Sequence, residues 1–192
     1  MFAHNGVLAG LDRLDARLAE LGALSLVEGQ TDSERAFALV SAETARHGGD
    51  VGAGLMAAVR WIGDTLPVYS LNVVLTTATD LWALRYPSTH ELYVLARPAG
   101  GSGSIAHLEG HTSRISARSA GLAERPAVIV ASERMNDDDG WRLLQPGELL
   151  HVSPDLTTSS SVPFDPPRHQ LRLSDLDLVT TTSQHPRSPT AH

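Results

Sequence analysis

The hydrophobic pattern of this chain changes its period at Pro67. Before Pro67, apolar residues recur at three- and four-residue steps, the spacing of amphipathic helices. The pattern predicts helices over residues 8–21, 32–47 and 50–66. After Pro67, residues 70–77 are rich in β-branched side chains, which favour strands. We therefore expect a layer of helices stacked on a sheet.

Short segments separated by turn residues follow this change of period. They predict strands at 70–77, 81–86, 91–97 and 127–132, and a last hairpin of residues 141–144 with 148–152 across Pro146-Gly147. Short spacing between strands favours antiparallel pairing. The predicted fold class is therefore α+β.

Two local motifs carry the candidate chemistry. Asn5-Gly6 follows an apolar start and is a strong hairpin signal by itself, but the helical spacing after it predicts a turn from strand to helix. An Asn side chain and a Gly N–H at such a turn can point at one developing oxyanion.

The second motif is residues 31–34. Thr31 and Glu34 form a capping box, which is the structural interpretation of this motif. Asp32 is not needed for the cap, so its carboxylate is a candidate to bind an ammonium group.

Composition restricts the partners. The 192 residues are 42% hydrophobic and 19% charged, with a net charge of −7. A nucleic-acid partner is excluded because phosphate binding requires a basic patch. No apolar run approaches the roughly 18–20 residues of a membrane span, and no signal peptide is recognisable, so a cytoplasmic protein is expected. His107 and His111 have a metal-chelating spacing but no third ligand, so neither a metal nor a cofactor is expected.

The two motifs together resemble a known family. Residues 2–6 (FAHNG) followed by residues 29–34 (GQTDSE) are similar to the class II, N-terminal-nucleophile, glutamine amidotransferases. Residues 70–72, 81–86 and 129–133 resemble later core strands of the same domain. The likeness extends in particular to small stand-alone members, such as the γ-glutamyl amidohydrolase of ergothioneine synthesis. It implies a four-layer αββα sandwich, incomplete at the N-terminus.

The resemblance implies a substrate and a set of site residues. The substrate would be glutamine or another small γ-glutamyl compound, and the amide would be hydrolysed. The oxyanion would be held by Asn5 and Gly6, and the substrate would be bound by His4, Thr31 and Asp32. Residues supporting the site would be Asn72, Ser132 and Glu133. For these last three the structural alternatives stay open: Asn72 as a satisfied core amide, and Ser132-Glu133 as a solvated strand end.

The family nucleophile is absent from this sequence. Family members begin with a Cys that attacks the amide, whereas residue 1 is Met and the chain has no Cys. We expect the chain to be the C-terminal portion of such a domain. One alternative is a non-catalytic glutamine- or glutamate-binding remnant, with a partner chain covering the exposed sheet edge. The other is one half of a split enzyme, in which a separate short chain supplies the Cys. Ser33 has no adjacent base that the sequence identifies.

The chain is predicted to consist of two regions. Residues 1–152 form the amidotransferase-like domain. Residues 153–192 are rich in Pro, Ser and Thr and lack hydrophobic periodicity, so they are predicted to be a largely disordered tail. One short segment near residues 170–179 is a candidate edge strand.

Overall fold

The computed structural model describes residues 1–99, 108–111, 116–119, 124–178 and 180–181. The helices are α1 (Leu11–Glu20), α2 (Asp32–Arg46) and α3 (Val51–Thr65), with 3₁₀ turns at Leu24–Leu26 and Leu173–Asp175. The strands are β1 (Phe2–Leu8), β2 (Pro67–Thr76), β3 (Leu81–Arg85), β4 (Tyr93–Arg97), β5 (Leu108–His111), β6 (Ser116–Ser119), β7 (Ala127–Ala131), β8 (Arg142–Leu143), β9 (Glu148–Val152), β10 (Thr158–Ser161) and β11 (His169–Gln170).

Local capping sets the starts of α2 and α3, as the sequence predicts. The Thr31 side chain accepts a hydrogen bond from the Glu34 N–H at 3.2 Å, and Asp50 accepts one from the Ala53 N–H at 2.9 Å. The contacts of the Glu34 carboxylate differ from those of the predicted capping box, in which it would accept the Thr31 N–H. It accepts the N–H groups of Glu28 and Gly29, so it holds the preceding loop to the helix.

The first strand is longer than predicted. Asn5 and Gly6 lie inside β1, opposite Asn72 and Leu71 of antiparallel β2, so the predicted turn at Asn5-Gly6 is wrong. The chain turns later, at Gly10, whose φ of 71° lies in the left-handed region that glycine favours. Glycine at position 6 serves another purpose. A Cβ there would collide with the backbone carbonyl of Ser70, so Gly6 permits the close approach of β1 to β2.

Two main sheets are stacked in this fold. The larger has the order β1-β2-β3-β9-β10, with β11 paired in parallel to β2, and the smaller has the order β7-β4-β8. The predicted last hairpin is wrong, because β8 pairs with β4 and β9 pairs with β3. Between them the chain crosses from one sheet to the other at Pro146-Gly147. The Gly147 N–H donates to the Arg85 carbonyl at 2.8 Å and fixes this crossing.

Two hydrophobic layers hold the sandwich together. The first lies between the helices and the larger sheet and includes Leu14, Leu39, Ile62 and Leu71, all at most 1% exposed. The second lies between the sheets and includes Leu92, Val94, Leu144 and Leu150. The α+β prediction is confirmed, and the described residues supply one helical layer and both sheets.

The segment after residue 152 is built into the domain. β10 pairs with β9, and β11 pairs with the start of β2. Phe164 is only 8% exposed and its ring lies 5.9 Å from that of Tyr86. The predicted disorder is therefore wrong for residues 158–175, because burial of Phe164 and strand pairing order them. Residues 182–192 lie outside the described part of the chain.

Candidate substrate cleft

A cleft of about 390 Å³ opens between the two sheets beside β1. It is lined by Ala3, His4, Asn5, Asn72, Val74, Leu92, Val130, Ala131 and Ser132. Side chains along a strand alternate between the two faces of the sheet. Along β1, Ala3 and Asn5 are exposed while Phe2 and His4 are partly buried, and the Phe2 ring packs 5.2 Å from that of Phe37 on α2. Asn5 therefore faces the cleft and the His4 ring faces α2.

The His4 ring is held between α2 and β2. Its Nδ1 lies 2.8 Å from Ser33 Oγ, and its Nε2 lies 3.4 Å from the Ser70 carbonyl oxygen. A carbonyl only accepts hydrogen bonds, so Nε2 carries the proton and Nδ1 accepts from the Ser33 hydroxyl. Burial lowers the pKa of His4, and the nearby Asp32 carboxylate opposes this only partly. The imidazole is thus neutral at pH 7.

Asp32 and Thr31 lie at the start of α2 and do not line the cleft. The Asp32 Oδ2 accepts the Leu8 N–H at 2.9 Å, and Oδ1 accepts the Ser33 N–H at 2.7 Å. Thr31 caps the helix. These contacts tie α2 to the strand that carries Asn5.

Asn72 lies opposite Asn5 in the β1–β2 pair and is 3% exposed. Its Oδ1 accepts the Tyr86 N–H at 3.0 Å, and its Nδ2 donates to the His90 and Glu91 carbonyls at 3.4 and 3.1 Å. Asn72 is therefore a core amide with its hydrogen bonds satisfied, which is the structural alternative that the sequence left open. The same bonds place the loop that leads to Leu92, so Asn72 also shapes the wall of the cleft.

Arg85 supports the same loop and was missed by the sequence analysis. It is 8% exposed, and its guanidinium donates to the carbonyls of His90, Leu144 and Ser88 at 2.8, 2.8 and 3.1 Å. A charged residue at the end of an apolar strand was the available signal. Such a residue is almost never buried without partners.

Ser132 follows β7 and lines the cleft, whereas Gly6 and Glu133 do not. Gly6 contributes backbone next to Asn5. The cleft therefore brings together Asn5, Asn72 and Ser132 of the predicted site residues, and His4 borders it while its ring faces α2.

A family model for the class II glutamine amidotransferases matches residues 1–172. The chain belongs to the class II glutamine amidotransferase family. No curated protein sequence matches it.

Solved structures share the fold of this amidotransferase domain. A glutamine aminotransferase class-II domain protein from Silicibacter pomeroyi is 22% identical with a TM-score of 0.54; the match covers 83% of this chain and 66% of that one. A predicted glutamine amidotransferase from Pseudomonas aeruginosa is 18% identical with a TM-score of 0.57; the match covers 80% of this chain and 57% of that one. Glutamine phosphoribosylpyrophosphate amidotransferase from B. subtilis is 19% identical with a TM-score of 0.52; the match covers 83% of this chain and 28% of that one.

These neighbours confirm the N-terminal-nucleophile type of α+β sandwich that the sequence predicts. The amidotransferase chain spans less than two thirds of the length of the first two structures. Within its described residues, no group of three His, Cys, Asp or Glu side chains is arranged to hold a metal ion. The helices in that part of the chain are all too short or too polar to cross a bilayer.

Proposed function

We propose that this amidotransferase domain binds glutamine or a related γ-glutamyl amide in the cleft between its sheets and takes part in hydrolysis of the amide. The observation that carries the proposal is the position of Asn5 in the cleft, opposite Asn72 and with Ser132 on the other sheet. The cleft volume of about 390 Å³ falls in the range of roughly 300–1,000 Å³ typical of small-molecule sites. The cleft has few polar groups, as expected for a site in which a small number of them fix the orientation of the bound ligand.

The proposed oxyanion hole consists of the Asn5 side-chain amide and the Gly6 N–H. Attack on the amide carbonyl carbon places negative charge on its oxygen, and these two donors would stabilise that charge. Losing one donor of this kind typically raises the barrier by ~2.7–4 kcal/mol. Water would then release glutamate from the acyl intermediate.

Asp32 is outside the lining of the cleft, so we assign it a positioning role in place of the ammonium contact that the resemblance implies. Its two oxygens accept the Leu8 and Ser33 N–H groups and so hold the start of α2 to the strand that carries Asn5. Thr31, as the helix cap, and His4, through Ser33, support the same junction.

The attacking thiol has to come from outside these 192 residues, because they contain no Cys. Ser33 lies 2.8 Å from the neutral His4 imidazole, which resembles an activated serine. Ser33 does not line the cleft, however. We therefore assign the Ser33–His4 pair a positioning role.

The absence of Cys also favours a second candidate function, in which the chain binds glutamine or glutamate without cleaving it. Within the described residues β1 pairs only with β2, so it forms an edge of the larger sheet. An unpaired edge accepts another strand. In the non-cleaving case, a partner chain would only cover this edge. If the partner also supplied the nucleophile, the two chains together would form a split enzyme.

Calorimetric titration with L-glutamine tests the binding proposal. We expect saturable binding that Asn5→Ala weakens, whereas Asp12→Asn, on the exposed face of α1, leaves it unchanged. Ammonia release is measured in parallel and distinguishes hydrolysis from binding alone. The proposal fails if L-glutamine gives no heat with folded protein, or if Asn5→Ala binds as tightly as the wild type.

A further inference from the structure

A second cavity, of about 200 Å³, lies at the C-terminal end of α3. The cavity is lined by Arg60, Gly63 and Asp64 of α3, by residues 163–166, and by Tyr86. None of these residues lines the cleft. The cavity exists because the segment around Phe164 packs back onto α3 instead of leaving the domain.

Tyr86 lines this cavity with most of its ring buried. The residue is 3% exposed, and its hydroxyl opens to the cavity and is not a fully enclosed unsatisfied atom. Gly63 brings the helix against this hydroxyl, since a Cβ at that position would collide with it. The hydroxyl is therefore placed to hydrogen-bond a ligand in the cavity.

The protonation state of Tyr86 fits a hydrogen-bond donor. Burial, with a smaller contribution from the carboxylates of Asp64 and Asp165, raises the pKa of Tyr86 to about 12. The phenol is therefore protonated at neutral pH. It can donate to an anionic oxygen in the cavity.

Unpaired charges of opposite sign border the same cavity. Asp64 is paired with Arg168, at 2.8 Å between Oδ1 and Nε. Arg60 and Asp165 are both exposed and form no ion pair with each other or with another described residue. Arg60 belongs to α3 and Asp165 to the segment around Phe164, so two separate segments contribute a cation and an anion to the lining of the cavity.

We propose that this cavity is a binding site for a small zwitterion of the α-amino acid class. Its carboxylate would accept hydrogen bonds from the Arg60 guanidinium and the Tyr86 hydroxyl, and its ammonium would pair with Asp165. The volume suits a single small amino acid and excludes a folded peptide segment. The site is independent of the cleft, since Arg60, Tyr86 and Asp165 have no part in the proposed amide chemistry.

Titration of the ¹⁵N-labelled full chain with L-serine, followed by NMR, tests the site. We expect saturable shifts of the amides of Gly63, which lines the cavity, and of Arg168, whose N–H donates to the Gly63 carbonyl. Arg60→Gln and Asp165→Asn are each expected to weaken binding by about tenfold, the effect of one lost charge-assisted contact. Tyr86→Phe removes only the hydroxyl that opens to the cavity and is expected to weaken binding several-fold while preserving the fold. Arg125→Gln and Asp12→Asn change exposed charges elsewhere and serve as matched controls.

Acetate and methylammonium, which each carry half of the zwitterion, are titrated in the same way. Much weaker shifts with either one than with L-serine support the assignment. Equal binding of acetate and L-serine would overturn the zwitterion class. No saturable shift at Gly63 with any of the three would overturn the site, and the hydroxyl would then be satisfied by water alone.

Discussion

The Nδ1 atom of His4 lies 2.8 Å from the hydroxyl oxygen of Ser33, joining the edge strand β1 to the first turn of α2. The Asp32 carboxylate adds a second link by accepting the Leu8 N–H at 2.9 Å. Both contacts connect residues more than twenty positions apart. They fix the strand that carries Asn5 and Gly6 relative to the helix start that carries Asp32.

Removing the His4 ring is expected to destabilise the domain. His4→Ala loses the hydrogen bond to Ser33 and part of the packing against α2, at a cost of about 1–3 kcal/mol in the free energy of unfolding. Urea denaturation of His4→Ala, Ser33→Ala and the double variant measures the coupling between the two side chains. A coupling of about 0.5–1.5 kcal/mol is expected, and strictly additive effects would contradict the contact.

The His4 environment predicts a pH dependence of stability. Its pKa in the folded protein is lowered from the ordinary 6.5 by burial, so the unfolded chain binds the proton more readily. The contribution of neutral His4 to stability is then fully present above about pH 6.5. It is lost as the pH falls towards the pKa of His4 in the folded protein. Urea midpoints between pH 7.5 and 5 are expected to fall more for the wild type than for His4→Ala. Equal slopes would show that His4 does not titrate in this way.

Phe164 is expected to be a core residue. Phe164→Ala removes a ring that is 8% exposed and contacts Tyr86, and such truncations cost about 3–5 kcal/mol. Val162→Ala, two residues away and 52% exposed, is the control and is expected to change stability by less than about 0.5 kcal/mol. Thermal denaturation compares the two. Similar melting temperatures would mean that the segment after residue 152 is not part of the domain core.

Arg85 is expected to be needed for the wall of the cleft. Arg85→Gln leaves the carbonyls of His90 and Leu144 without their charged donor, at an expected cost of about 3 kcal/mol. Arg85→Lys keeps the charge but cannot reproduce the planar fork of donors, so it is expected to rescue little. Hydrogen exchange of residues 88–92 reports the effect, and exchange as slow as in the wild type would contradict it.

Sequence reasoning succeeded where the determinants are local. The starts of α2 and α3 follow from Thr31 and Asp50, whose side chains cap N–H groups three residues on. It failed where a distant segment decides the structure. Gly6 is extended because Ser70 of β2 lies against it, and β9 leaves the predicted hairpin because β3 pairs with it.

The candidate site divides in the same way. Family motifs identified Asn5, Asn72 and Ser132, which the fold brings to one cleft. The His4–Ser33 contact spans 29 positions, and no local pattern reveals it. Tail composition likewise predicted disorder, because burial of Phe164 depends on α3 and not on its neighbours in sequence.

Residue-resolved NMR of the wild-type chain during titration with L-glutamine tests the proposed site most directly. We predict saturable shifts at Asn5, Gly6 and Ser132, including the side-chain amide of Asn5, with little change at Gly63 beside the second cavity. The opposite pattern, shifts at Gly63 with none at Asn5 and Gly6, would contradict the assignment of the cleft as the γ-glutamyl amide site.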